Sequence, residues 1–210
     1  YFAAMKLPEA TEVALRGMYE RFDGKGVPRG KAGDAIDAGA RLLALCDSYV
    51  DVTNHRDNPA GKKLDPATAI AFLRAHRGTL FDPHMVDALR ADIGIAQPVV
   101  LTDRPHVLVI EAELGQSAPL EVALIEHGYD VRTAPDVEQA ARELQTATPL
   151  AVVMDADVGS PDLGFTFRQQ ILQLPWAQAV PAWILHTKRT DAAVEQRAFD
   201  LEFDDMLPKG

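Results

Sequence analysis

From residue 107 onward, short apolar runs alternate with stretches of helical periodicity, and that alternation admits few folds. Runs at 107–111, 129–133, 150–155, 181–186 and 205–207 read as strands, the third being the most apolar. Between them, 120–127, 136–146, 165–174 and 191–199 read as helices. Gly128 is placed to stop the first of these helices, and Asp136 to cap the second. Strand–helix repetition of this kind implies right-handed βαβ units around a parallel five-stranded sheet.

The first half follows another grammar. No strand candidate occurs before residue 98, and helices are expected at 8–19, 34–52, 65–76 and 82–93. Asp65-Pro66 and Asp82-Pro83 are start signals, an N-cap residue followed by proline at the first helical position. Between the first two helices lies FDGKGVPRGKAGD, residues 22–34, whose four glycines and proline exclude regular structure. The stretch GIAQPVVLTDRP at 94–105 interrupts helical periodicity with two prolines and a glycine. The charge changes at the same place. Residues 1–100 hold 13 Lys+Arg and 13 Asp+Glu, whereas 101–210 hold 8 and 18, so the formal charge of −10 belongs to the second half. The expected organisation is an all-α module at 1–94, a linker at 95–105 and an α/β module at 106–210.

In a parallel α/β sheet, ligands sit beyond the carboxyl ends of the strands. Those ends carry Glu111, Asp155, Asp157, Thr187 and Lys209, a carboxylate cluster flanked by a hydroxyl and an ammonium. A carboxylate can accept a phosphoryl group as a nucleophile; acids hold Mg²⁺ against phosphate oxygens, and Lys and Thr hold those oxygens in turn. The set resembles the receiver domain of two-component response regulators. The pieces that match are VLVIEAE at 107–113, VVMD at 152–155, Thr187 after the fourth strand and LPK at 207–209, and they cover nearly half of the chain. The resemblance implies a flavodoxin-like fold, Asp155 as phosphoacceptor, Thr187 as switch hydroxyl and Lys209 as phosphate-sensing lysine. It also implies a weak Mg²⁺ site formed by Glu111, Asp155 and Asp157. Ala112 stands where such a domain has its second acid, the chief Mg²⁺ ligand, and Met206 where it often has an aromatic residue. The sequence stops at Gly210, where a receiver runs on into its fifth helix, so a domain without that helix is expected.

The first half carries MYERFDGKGVPRG at 18–30 and GARLLALCDSYVD at 39–51. These resemble the second part of an HD-GYP domain, the family of cyclic-di-GMP phosphodiesterases, with a pattern of two histidines and a glutamate, a D-G-x-G-Y-P loop, and a helix bearing a metal-ligand aspartate. The helix at 65–75 and FDPHMVDAL at 81–89 continue the match. The resemblance places Glu20, Asp23 and Asp47 on family positions. It also puts Met18 and Tyr19 where the two histidines belong, and Val27 on the loop tyrosine. Methionine is a poor ligand for hard iron- or manganese-type ions. No multinuclear metal centre is therefore expected, and these positions read as vestigial. Arg21, Lys25, Arg29 and Lys31 share the glycine loop and leave a nucleotide-binding surface open as a reading.

Several classes fall away on composition. No apolar run approaches the roughly 18–20 residues a membrane span needs, and an acidic half disfavours nucleic acid. The single cysteine, Cys46, admits neither an internal disulfide nor a cysteine zinc cluster, which points to a reducing compartment, the cytoplasm. The expected function is a bacterial signalling regulator, a receiver-like module coupled to a catalytically degenerate HD-GYP module. Its expected partner is a sensor histidine kinase or another signalling protein, and a homodimer is left open. The alternative is an active, metal-dependent cyclic-di-GMP phosphodiesterase seen as a fragment.

Overall fold

A computed structural model of the chain describes residues 7–92 and 105–209. The chain divides into two compact units, Tyr1–Val99 and Val100–Gly210. The linker expected at 95–105 lies outside the described residues, apart from residue 105.

The described residues of unit 1 hold four α-helices joined by loops: α1 (Glu9–Gly17), α2 (Ala38–Asn54), α3 (Pro66–Ala75) and α4 (Pro83–Asp92). Asp65 caps α3 as its position suggests, accepting from the N–H groups of Ala67 and Thr68, with Pro66 at the first helical position. The helix expected at 34–52 begins later. Gly33–Ala35 forms a single 3₁₀ turn and Asp37 is the cap, accepting from Gly39 N at 2.9 Å and Ala40 N at 3.3 Å. The turn leaves Ile36 extended, and this drives its side chain into the core. With it are buried Leu45 and Val52 of α2, Ile70 and Leu73 of α3, and Val86 of α4. Arg41 of α2 reaches the buried Asp82 and the exposed Asp34, which ties α2 to the start of α4.

Unit 2 alternates as expected: β1 (His106–Ile110), α5 (Leu114–Glu126), β2 (Asp130–Ala134), α6 (Val137–Thr146), β3 (Ala151–Asp155), α7 (Leu163–Ile171), α8 (Pro175–Gln178), β4 (Ala182–Thr187), α9 (Ala192–Asp200) and β5 (Asp205–Pro208). All five strands are parallel, in the order β2-β1-β3-β4-β5. This is the flavodoxin-like doubly wound order. Leu108, Ile110, Val152, Met154 and Trp183 meet α6, α7 and α8 in one apolar cluster. A second cluster joins Leu185 and Phe165 to α9 through Val194 and Ala198.

Two helices depart from expectation. α5 starts at Leu114, six residues earlier than read, and carries Pro119 inside it. Proline has no N–H for the intrahelical ladder, but Ser117 and Ala118 just before it are buried, so tertiary packing carries the helix across. The helix read at 165–174 is α7, which starts two residues earlier and stops at Ile171; the chain turns at 172–174, and Pro175 then starts the short α8, which was not read.

Candidate functional site

The register brings the expected residues of unit 2 together. Asp155 is the last residue of β3 and pairs with His186, one residue before Thr187 at the end of β4. Glu111 follows β1, its N–H donating to Ala134 O, and Lys209 follows β5, its N–H donating to Thr187 O. Glu111, Asp155, Asp157 and Lys209 line one pocket of about 480 Å³ beyond the carboxyl ends of the strands. Gly164 makes room for it. A Cβ there would stand 2.1 Å from Asp155 O, so only glycine lets the first turn of α7 lie against this strand end.

Lys209 is the hub. Its Nζ lies 2.6 Å from Glu111 Oε2 and 2.7 Å from Asp155 Oδ1, and all three side chains are buried. Burial works against the charge on Lys209. The hydrogen bonds to Asp155 and Glu111 outweigh it and hold the ammonium above its ordinary pKa. Burial likewise pushes the Glu111 carboxyl up, against the opposing hydrogen bond from Lys209. Thr187 is buried and its hydroxyl accepts from Arg189 N at 3.1 Å. Asp157 donates its N–H to Asp155 Oδ1 at 3.1 Å, while its own carboxylate turns to Arg189 Nη2, 3.0 Å away.

Arg189, which lines this pocket, and His186, buried beside Glu111, were not read from the sequence. Arg189 carries no motif, since its partners lie 27 and 32 residues away along the chain. His186 is buried, its Nδ1 4.0 Å from Glu111 Oε2 and without a hydrogen bond. Burial, and then the Lys209 charge, lower its pKa against the pull of Asp155, so the imidazole adds no charge at neutral pH. Its position directly before the strand-end threonine was the only available signal.

A divalent cation of the Mg²⁺ type takes about six oxygen ligands. The residues here do not fit one as they are arranged. Lys209 spans Glu111 and Asp155, Asp157 faces Arg189, and Ala112 offers no side-chain donor. Among the described residues, no group of three His, Cys, Asp or Glu side chains is placed to hold a metal ion.

In unit 1 two of the three family positions, Glu20 and Asp23, are engaged in loop-building contacts. Glu20 is buried, and both of its carboxylate oxygens are engaged: Oε1 accepts from Arg29 N at 2.8 Å and Oε2 from Lys31 N at 3.0 Å. Asp23 pairs with Arg21 at 2.6 Å and accepts from Lys25 N at 3.0 Å. Asp47 is exposed on α2. The loop closes tightly. Gly24 adopts a left-handed φ of 80°, whereas Gly26 is required by proximity, since a Cβ there would lie 2.2 Å from Arg21 N. Tyr19 is 68% exposed.

Residues 3–85 match the HD domain family. The Xanthomonas campestris cyclic di-GMP phosphodiesterase response regulator RpfG is 43% identical over 77 residues, which is 37% of this chain and 20% of that protein. A probable cyclic di-GMP phosphodiesterase of Vibrio cholerae is 36% identical over 113 residues, 52% of this chain and 24% of its own length. The chain thus spans about a quarter or less of the curated relatives it matches. Among solved structures, a response regulator of Chloroflexus aurantiacus is 25% identical, with a TM-score of 0.45 over 50% of this chain and 85% of its own. Thermotoga maritima TrrA, solved in complex with Mg(2+)-BeF, is 20% identical, with a TM-score of 0.43 over 50% of this chain and 86% of its own. No helix among the described residues is long and apolar enough to cross a membrane.

Proposed function

We propose that the chain is part of a bacterial cytoplasmic signalling regulator. In this reading unit 2 works as a receiver, with Asp155 as phosphoacceptor, and unit 1 is an HD-type module without a working metal centre that acts through protein–protein contact. The observation that carries the receiver half is the Lys209 ammonium held between Glu111 and Asp155 at the strand ends, beside the buried Thr187. A carboxylate oxygen of Asp155 attacks phosphorus on a phosphohistidine or a small acyl phosphate. The new O–P bond forms as the bond from phosphorus to the donor breaks, and its electron pair leaves with the donor. The charge at Asp155 grows, and Lys209 is already against it in a low-dielectric setting. Thr187 can turn its hydroxyl from Arg189 N to a transferred oxygen. Acetyl phosphate should label Asp155 slowly and below stoichiometry, Asp155→Asn should abolish the label, and Ala112→Asp should strengthen it. Absence of label in both the wild type and Ala112→Asp refutes this half.

For unit 1, support comes from Glu20, whose two oxygens are spent on the loop backbone, and from Met18 and Tyr19 at the family's histidine positions. The chain should give no Mn²⁺- or Fe²⁺-dependent linear product from cyclic-di-GMP, and Met18→His with Tyr19→His should not restore it. The names of the relatives favour a second reading, a metal-dependent cyclic-di-GMP phosphodiesterase. Metal-dependent linear product above a blank would establish that reading and remove ours.

A further inference from the structure

The connection from β4 to α9 and the connection from β3 to α7 both border the unit 2 pocket, and Arg189 on the first is tied to the second. Its Nη2 donates to Asp157 Oδ1 at 3.0 Å and to Asp162 Oδ1 at 2.6 Å. Arg197 of α9 takes the other oxygen of Asp162 at 2.9 Å, and the two guanidinium carbons lie 5.7 Å and 4.4 Å from the Phe165 ring centre. Asp162 sits at a φ of +61°, which a residue other than glycine keeps only where its contacts hold it. The guanidinium is therefore positioned by the protein, and its hydrogen bonds to the two carboxylates run through Nη2. Its Nε is buried and has no hydrogen-bond partner. A guanidinium carries five N–H donors, and a buried one left unpaired costs free energy until an acceptor reaches it. Lys209 has three N–H donors, and Glu111 and Asp155 take two of them.

We propose that Asp155 takes up its phosphoryl group without a metal ion, the Arg189 guanidinium and the Lys209 ammonium supplying the positive charge that holds the transferred oxygens. The inference rests on reading this pocket as that of a receiver, and it follows from the poor fit of these residues to a divalent cation. Glu111, Asp155 and Asp157 bring three negative charges to the pocket, and Lys209 and Arg189 bring two positive ones. The two cations differ in freedom. Lys209 is 7% exposed and set between two buried carboxylates, whereas Arg189 is 37% exposed and lies on a loop. Ion pairs at such exposure are weak, so the guanidinium can exchange Asp157 for a phosphoryl oxygen while the Asp162 contact keeps it at the pocket. Asp157 is 40% exposed and turns to water when it is released. With acetyl phosphate, an Asp155 oxygen attacks phosphorus, the new O–P bond forms as the bond to the acetate oxygen breaks, and acetate leaves with that electron pair. No proton is transferred. The forked, permanently charged donor of Arg189 suits the developing charge on the phosphoryl oxygens.

Acetyl phosphate labelling of the full chain, in excess EDTA and separately in Mg²⁺, tests this, with Asp155→Asn as the blank. The wild type should label at the same rate, within about twofold, in both. Arg189→Gln should label about ten- to a hundredfold more slowly in both, the low side of what a preorganised donor contributes, because Arg189 is partly exposed. Arg189→Lys keeps the charge without the fork and should fall between the two. Low millimolar guanidinium chloride should restore labelling to Arg189→Ala, whereas urea, of the same shape but uncharged, should not; a side chain that only joined the loops would not be replaced in this way. Labelling of the wild type that needs Mg²⁺ overturns the inference and leaves the receiver reading in place. Equal rates in Arg189→Gln and the wild type, or no rescue by guanidinium, also overturn it. No label at Asp155 under any condition removes the receiver reading and this inference together.

Discussion

Truncating Glu20 separates a loop-building carboxylate from a metal ligand. In the structure its two oxygens accept the backbone N–H groups of Arg29 and Lys31, at 2.8 Å and 3.0 Å. A hydrogen bond to a charged group contributes about 1.5–3 kcal/mol. Arg29 and Lys31 are exposed, so water can reach their N–H groups once the carboxylate is gone, and the lower end of that range applies to each. Glu20→Ala should therefore destabilise unit 1 by about 3 kcal/mol. Glu20→Gln keeps one acceptor and sets an amide N–H against the other donor, so it should cost about half as much. The two units can be followed separately, because both tryptophans, Trp176 and Trp183, lie in unit 2. Tryptophan fluorescence reports unit 2 in urea, and the remaining far-ultraviolet helical signal reports unit 1. With a urea slope of roughly 1–1.5 kcal/mol per molar for a unit this size, the helical midpoint should fall by about 2 M or more in Glu20→Ala while the fluorescence midpoint stays put. A helical midpoint equal to the wild type in both variants would refute the argument and return Glu20 to the pool of free ligands.

Other changes test single contacts. Asp65→Ala removes the cap of α3 and should cost about 1 kcal/mol at pH 7, measured by the helical midpoint in urea. The hydrogen bond from the Thr68 hydroxyl holds the Asp65 carboxyl below its ordinary 3.8, so its contribution is present above that pH and lost as pH falls through the lowered folded value; the midpoints of variant and wild type should converge there. Arg168 is buried over Trp183 with its Nε and Nη1 lacking partners, and only Nη2 donates, to Glu202 O. Arg168→Met keeps the packed stem and sheds the desolvation cost, so unit 2 should stay within about 1 kcal/mol of the wild type; Arg168→Ala should lose about 2–4 kcal/mol to the cavity, both read by tryptophan fluorescence in urea.

What the sequence made legible follows from the range over which each feature is determined. The strands of unit 2 were visible because consecutive apolar side chains of a doubly covered sheet leave a run that no polar residue interrupts, as at Val107–Ile110. The caps at Asp65, Asp82 and Asp136 were visible because a cap bonds to N–H groups two or three residues ahead, and all three do so. α5 was misjudged because Pro119 is a local signal against helix, while the burial of Ala118 and Val122 that overrides it is set by strands elsewhere in the chain. Glu20 was assigned by family position. Nothing in its own sequence marks a carboxylate whose partners are backbone N–H groups, because every residue but proline supplies one.

Arg189 takes this reasoning one step further. Position at the strand ends predicts which residue types meet, because the order of a parallel sheet fixes where each strand stops. It does not predict which of them are already paired. Asp155, Glu111 and Asp157 all reach the pocket as their positions imply, yet each of them meets a cation of the protein itself, supplied by Lys209 or by Arg189. A carboxylate cluster in a sequence is thus evidence for a pocket and not for a metal. The difference lies in two cations far along the chain from their partners, a lysine 98 residues from Glu111 and a guanidinium 32 residues from Asp157.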